Sequence, residues 1–122
     1  MNNHLVLLVD DDEITNFMSK QILSELGFNQ VVSVKNGQEA LKYVQNRCPD
    51  IIFLDIKMPV MDGFEFLAEF QEKKLCPQTK IVMLTSSSRE AEKKQAALFT
   101  NVVEFLVKPL TKPKIGQVLK KV

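Results

Sequence analysis

The chain contains no tryptophan, one tyrosine, one histidine and two cysteines in 122 residues. With His4 alone, no second imidazole exists to build nucleophilic catalysis around. Cys48 and Cys76 each precede a proline and stand far apart, so they form no C-x-x-C pair, and with one histidine they complete no zinc site. They are expected to be reduced, structurally incidental thiols, and His4 to be a solvated side chain. Neither sign of charge is in excess: 16 basic side chains face 15 acidic ones, a net charge of +1. That balance gives no electrostatic case for nucleic acid or an anionic membrane. Lys112, Lys114, Lys120 and Lys121 form the only local basic excess, read as a solvated helix face. No apolar run approaches the ~18 residues of a membrane span, and the start of the chain lacks a signal peptide's basic and apolar regions. The expectation is a cytoplasmic protein without membrane or nucleic-acid partners.

What is present is ordinary for a globular chain, 45% hydrophobic and 25% charged, which argues against disorder and for one domain over 1–122. Apolar runs alternate with segments of helical period from one end to the other. Residues 5–9, 31–34, 51–54, 81–84 and 103–107 read as strands. Between them lie helices over about 13–26, closed by Gly27, from Asn36-Gly37 with Ala40, Leu41 and Val44, from Asp62-Gly63 with Phe64, Phe66, Leu67 and Phe70, and over about 89–99. In the first helix Thr15, Met18, Ile22 and Leu26 share one stripe, expected to face the core, with Ile14 and Phe17 off it. Asp12 is expected to cap this helix, and one of Ser86, Ser87 and Ser88 the fourth. Thr111 is a cap for a fifth, with Pro113 in its first turn and Gly116 weakening its interior. Five β/α units in strict alternation imply an α/β sandwich with a parallel sheet and right-handed crossovers. For this size the common strand order is 2-1-3-4-5, the flavodoxin-like arrangement.

The chemistry collects at the strand ends. Asp10 and Asp11 end the first strand, Asp55 the third, Thr85 and Ser86 the fourth, and Lys108 the fifth. In the order 2-1-3-4-5 those four strands are contiguous, so all these groups meet at one sheet edge. Packed carboxylates repel unless a cation joins them, and hard oxygen ligands select Mg²⁺ or a relative such as Mn²⁺. Acids, a divalent cation, a hydroxyl and a lysine together suit a phosphoryl group, which one carboxylate can attack in line. Asp55 is the candidate nucleophile because it alone stands singly on its strand, leaving Asp10 and Asp11 to hold the metal.

At these residues the chain resembles the receiver domain of two-component response regulators, over essentially its whole length. The matching motifs are Val9-Asp10-Asp11, Leu54 to Pro59 with Met61-Asp62-Gly63, Leu84-Thr85-Ser86, and Val107-Lys108-Pro109. The resemblance implies a flavodoxin-like (βα)5 fold and phosphorylation of Asp55 by a histidine kinase's phosphohistidine or a small phosphodonor. It implies Mg²⁺ bound directly by Asp11, largely through water by Asp10, and also by Asp55 and the backbone carbonyl of Lys57. Thr85 and Lys108 would contact the phosphoryl group, Lys108-Pro109 would be cis, and Phe105 would occupy the aromatic switch position on the fifth strand. Partners would be a sensor histidine kinase or phosphotransfer protein and a downstream protein target. Such a chain is a signalling switch that catalyses only its own phosphorylation and dephosphorylation.

Lys57 departs from the small polar residue usual two beyond the acceptor. With Ser87, two beyond Thr85, it is expected to tune the phosphate lifetime. Ile14 and Phe17, off the core stripe beside the acidic loop, are expected to serve kinase docking. A haloacid-dehalogenase-like phosphatase with Asp10 as nucleophile and Asp12 as acid/base is the main rival. Ile14 breaks that family's pattern, and Asp55 would have no role. A flavodoxin-like cofactor binder would need glycines and hydroxyls in the first loop, which is acidic. A scaffold that never takes phosphate is disfavoured by the intact acid set.

Overall fold

The computed structural model describes residues 4–86 and 89–121. Ten elements follow in strict alternation: β1 (Leu5–Val9), α1 (Glu13–Glu25), β2 (Gln30–Val34), α2 (Gly37–Asn46), β3 (Ile51–Asp55), α3 (Gly63–Glu72), β4 (Lys80–Thr85), α4 (Glu90–Ala96), β5 (Val102–Val107) and α5 (Lys112–Leu119). The strands form one sheet of order β2-β1-β3-β4-β5, every pairing parallel. This is the expected flavodoxin-like arrangement. The two central strands β1 and β3 are buried along their whole length, which is why they read as unbroken apolar runs rather than alternating ones.

Successive strand residues point to opposite faces, and the core divides accordingly. Leu7, Val9, Ile52, Leu54, Ile81 and Met83 pack against Ala40, Leu41 and Val44 of α2, Phe66, Leu67 and Phe70 of α3, and Ala96 of α4. Val6, Leu8, Ile51, Phe53, Val82 and Leu84 pack against Leu23 of α1 and Ile115 and Val118 of α5. Two helices therefore cover one face and three the other.

The helix starts follow side-chain chemistry. Asp12 caps α1, accepting the Ile14 N–H at 3.0 Å. Asn36 caps α2, and Asp62 with Glu65 forms a reciprocal capping box on α3. Thr111 caps α5. For α4 the expectation is corrected. Arg89 occupies its N-cap with no side-chain bond; Ser86 does not hold that position, Ser87 and Ser88 lie outside the described residues, and the helix is shorter than its sequence suggested. Gly27 follows α1 with φ of 95°, a conformation glycine adopts at little cost.

The core face of α1 is also corrected. Its buried residues are Asn16, Ser19 and Leu23, while Met18 is 56% exposed. Two polar side chains hold buried positions that a stripe of apolar residues would not reveal. His4 is half-buried, its ring 6.5 Å from that of Phe28, and not freely solvated.

The cysteines are the larger correction: Cys48 and Cys76 form a disulfide. The loops ahead of β3 and β4 lie side by side because those strands pair in parallel, Ile51 beside Lys80. The two Cα atoms are thereby 5.4 Å apart, within disulfide reach. The same loops are tied by Thr79 Oγ1 donating to Pro49 O (2.6 Å) and Lys80 N donating to Asp50 O (3.0 Å).

Lys112, Lys120 and Lys121 on the basic helix face are exposed, as expected, and two of them form surface ion pairs: Lys112 with Glu25 at 2.9 Å and Lys121 with Glu104 at 3.2 Å. Gly116 sits in α5 with nothing within 4 Å of where a Cβ would stand. Gly116→Ala is expected to raise unfolding stability by about 1 kcal/mol, the helix-propensity difference, read as a higher urea midpoint at unchanged slope. Among the described residues no helix is long and apolar enough to cross a membrane.

Candidate functional site

Parallel strands all end at one edge, and β1, β3, β4 and β5 deliver Asp10, Asp55, Thr85 and Lys108 there. Asp10, Asp55 and Thr85 are buried, while Asp11, one residue past Asp10, is exposed. Carboxylate oxygens of Asp10, Asp11 and Asp55 all lie within 4.8 Å of one another. Into this cluster runs the Lys108 ammonium, 2.7 Å from Asp10 Oδ2 and 3.4 Å from Asp55 Oδ1.

Each group is held from behind. Asp10 Oδ1 accepts the Asp12 N–H (2.9 Å), and Asp55 Oδ1 accepts the Ile56 N–H (2.9 Å). The buried Asn16 amide donates to Asp10 O at 2.8 Å, tying α1 to the acidic loop. The sequence reading missed this residue; its signal is a polar side chain six positions beyond Asp10 in an otherwise amphipathic helix. Lys108 N donates to Thr85 O at 2.7 Å, coupling the ends of β4 and β5. Lys108-Pro109 is a cis peptide, as the resemblance implied.

The loop from β3 to α3 is pinned by two glycines. A Cβ on Gly63 would collide with the backbone carbonyl of Asp55, and one on Gly37 would stand 2.8 Å from Met61 O. Without side chains these residues donate to Ile56 O and Met61 O, both at 2.8 Å, so α2 and α3 clamp the loop against Asp55. Val60 pays for the tightness with φ of 71°, unusual for a β-branched residue, and its side chain is 74% exposed. Lys57, in the same loop, is exposed. Ser87 lies outside the described residues.

The electrostatics are those of a site built for a cation. Burial, and then the neighbouring Asp10 carboxylate, push the Asp55 carboxyl up to about 6 against the pull of Lys108. Burial also pulls the Lys108 ammonium down, but its hydrogen bond to Asp10 and the charges of Asp55 and Asp10 outweigh that and leave it above the ordinary lysine value. Lys108 thus neutralises only part of the acid cluster. An all-oxygen donor set this closely spaced fits a hard divalent cation such as Mg²⁺. Asp12 stands apart, held below the usual carboxylate range by the Thr15 hydroxyl and the Ile14 N–H. It is a helix cap, and the rival assignment of Asp12 as an acid/base loses its donor.

Ile14 and Phe17 project outward on α1, 70% and 67% exposed. They lie off the core, as expected, though not among the site's reacting groups. Phe105 is partly buried against the core, beside a groove of about 180 Å³ lined by Lys93, Ala96, Val103 and Glu104 between α4 and β5.

A family model described as the response regulator receiver domain matches residues 6–120. The chemotaxis protein CheY of Listeria monocytogenes is 34% identical over 116 residues, covering 95% of each chain. A protein-glutamate methylesterase/protein-glutamine glutaminase of Archaeoglobus fulgidus is 39% identical over 105 residues, which are 85% of this chain but only 29% of that enzyme. Among solved structures, the CheX–CheY complex with beryllium trifluoride and Mg²⁺ from Borrelia burgdorferi superposes with a TM-score of 0.86 at 31% identity, covering 97% of this chain and 87% of that one.

Proposed function

The chain belongs to the response regulator receiver domain family of two-component signalling, and from that premise we propose that it is a phosphorelay switch whose acceptor is Asp55. The convergence of the Asp10, Asp11 and Asp55 carboxylates within 4.8 Å, with Lys108 closing on two of them, carries the reading. An Asp55 carboxylate oxygen attacks phosphorus, and the bond to the donor's leaving group, a histidine nitrogen or acetate, breaks with its electron pair. Asp10, Asp11, Asp55 and the Lys57 carbonyl would hold Mg²⁺, which when bound neutralises phosphoryl oxygens. Lys108 turns its ammonium from the carboxylates to the incoming phosphoryl group, and the Thr85 hydroxyl donates to it. Later, water attacks phosphorus and Asp55 leaves as carboxylate.

The new group carries a charge of about −2 beside fixed cations, which draws Thr85 and its loop inward. Phe105 follows into the space vacated, and the groove between α4 and β5 changes shape for a downstream protein. Incubation with acetyl phosphate should add one phosphate to the intact mass. Chelation of Mg²⁺ or Asp55→Asn should abolish it, and an increment surviving either would count against the proposal.

Two finer assignments rest on the same site. Lys57 is exposed in the loop beside Asp55, where a long cation can alter how water approaches the acyl phosphate, and Ser87 is assigned the matching place beyond Thr85. Lys57→Asn is expected to change the dephosphorylation rate several-fold; an unchanged rate rules the role out. Phe17 lines a groove of about 300 Å³ with Glu13, Asn16, Lys20, Ser33 and Lys35, and Ile14 is exposed three residues before it on the same helix. A sensor kinase or phosphotransfer domain docking there would bury both side chains. Ile14→Ala with Phe17→Ala should slow transfer from the cognate kinase at least tenfold, a floor below the roughly 1.5–3 kcal/mol that fully burying even one such side chain is worth, while leaving uptake from acetyl phosphate intact. Equal loss with both donors would point to damage at the site instead.

A further inference from the structure

The third helical residue after an N-cap is a favoured place for an acid, because it meets the positive end of the helix and can bond back to the cap. Both other helices whose cap bonds the N–H of that third residue obey this. Glu39 stands three beyond Asn36 and Glu65 three beyond Asp62. In α5 the corresponding residue, three beyond Thr111, is Lys114, and the first turn contains no acid at all. A cation there opposes the helix dipole, so its presence calls for a compensating contact.

That contact lies behind the helix. The Lys114 ammonium donates to Val107 O and to Pro109 O, the latter at 3.0 Å. These carbonyls belong to the residues immediately before and after Lys108. Lys108 N is itself bound to Thr85 O, so the backbone of Lys108 is held on both sides and through its own N–H. An ammonium has three donors, and two are spent on fixing this one residue. From the fixed backbone, the Lys108 side chain reaches Asp10 and Asp55.

We propose that Lys114 is a positioning residue for phosphoryl transfer, setting the reach of the Lys108 ammonium by gripping the carbonyls of the two residues that flank it, Val107 and Pro109. The inference rests on the reading of Asp55 as phosphoacceptor. When a phosphoryl group arrives, Lys108 exchanges carboxylate partners for phosphoryl oxygens within the same small volume. A backbone free to shift would let the ammonium follow the carboxylates instead. Misplacement of an assisting group by a fraction of an ångström to one ångström costs on the order of ten- to a hundredfold in rate.

The test follows phosphate uptake from acetyl phosphate by intact mass over time in Lys114→Gln, Lys114→Arg and Lys114→Glu, each alone, and Lys114→Gln again in a Lys108→Ala background. Lys114→Gln is expected to slow uptake roughly tenfold with half-saturating Mg²⁺ unchanged, and Lys114→Arg to restore most of the rate. Lys114→Glu supplies the acid that the helix start favours, so it should melt no lower than Lys114→Gln while remaining as slow. With Lys108 absent, Lys114→Gln should slow uptake no further, because nothing is left to position. Undiminished uptake in Lys114→Gln, or equal slowing with and without Lys108, overturns the proposal while leaving Asp55 as acceptor. Failure of the unsubstituted protein to take phosphate at all would remove both together.

Discussion

In the absence of divalent cations, Asp55→Asn is expected to raise the stability of the folded chain by about 1–3 kcal/mol near neutral pH, solvent screening reducing the full value of the shift, and the gain vanishes below about pH 4. Asp55 is held protonated up to about 6 where an ordinary aspartate ionises near 3.8, a difference of roughly two pH units at 1.36 kcal/mol each. Because its folded pKa is raised, the carboxyl favours the fold while protonated. That contribution is complete below the unfolded value and is lost as pH rises through about 6. Above that point the native state carries an anion that burial and Asp10 oppose, with Lys108 offsetting only part of the cost. Asparagine keeps the shape and never ionises. Urea unfolding of both proteins with chelator present, at pH values on either side of this window, measures the gap directly. Saturating Mg²⁺ should then narrow it, since the cation stabilises only the fold that holds all three carboxylates. A destabilised Asp55→Asn at neutral pH would mean that the acid cluster is not under electrostatic strain.

Reduction of the Cys48–Cys76 bond is the second large effect. The cross-link spans 28 residues, and chain-entropy reasoning for a loop of that size gives about 3–4 kcal/mol. The native contacts around it, Thr79 to Pro49 and Lys80 to Asp50, survive reduction. The reduced chain is therefore expected to keep its native circular dichroism while its urea midpoint falls. Cys48→Ser with Cys76→Ser should match the reduced protein and show no further response to dithiothreitol. An unchanged midpoint on reduction of the unsubstituted protein would mean that the bond contributes nothing in solution.

The fold was legible because each strand is a short apolar run closed by a polar residue, and every helix but α4 carries its own capping residue. Asn36, Asp62 and Thr111 cap the helices they precede. The gathering of Asp10, Asp11, Asp55, Thr85 and Lys108 at one edge followed from strand order alone, since parallel strands end together. What escaped depended on three-dimensional adjacency or on backbone partners. Asn16 and Ser19 fill buried positions on α1, where hydrophobic periodicity chose Thr15 and Met18. The disulfide joins loops that only the β3–β4 pairing brings together. Lys114 binds carbonyl groups, which every residue possesses and no pattern marks.

The position of the phosphoryl group decides the central claim most directly. After incubation with Mg²⁺ and acetyl phosphate, borohydride reduction of the acyl phosphate, followed by proteolysis and mass spectrometry, locates the modified aspartate. The expected result is a single altered residue, Asp55, in the peptide that continues through Gly63. Modification at Asp10, Asp11 or Asp12 with Asp55 untouched would contradict it.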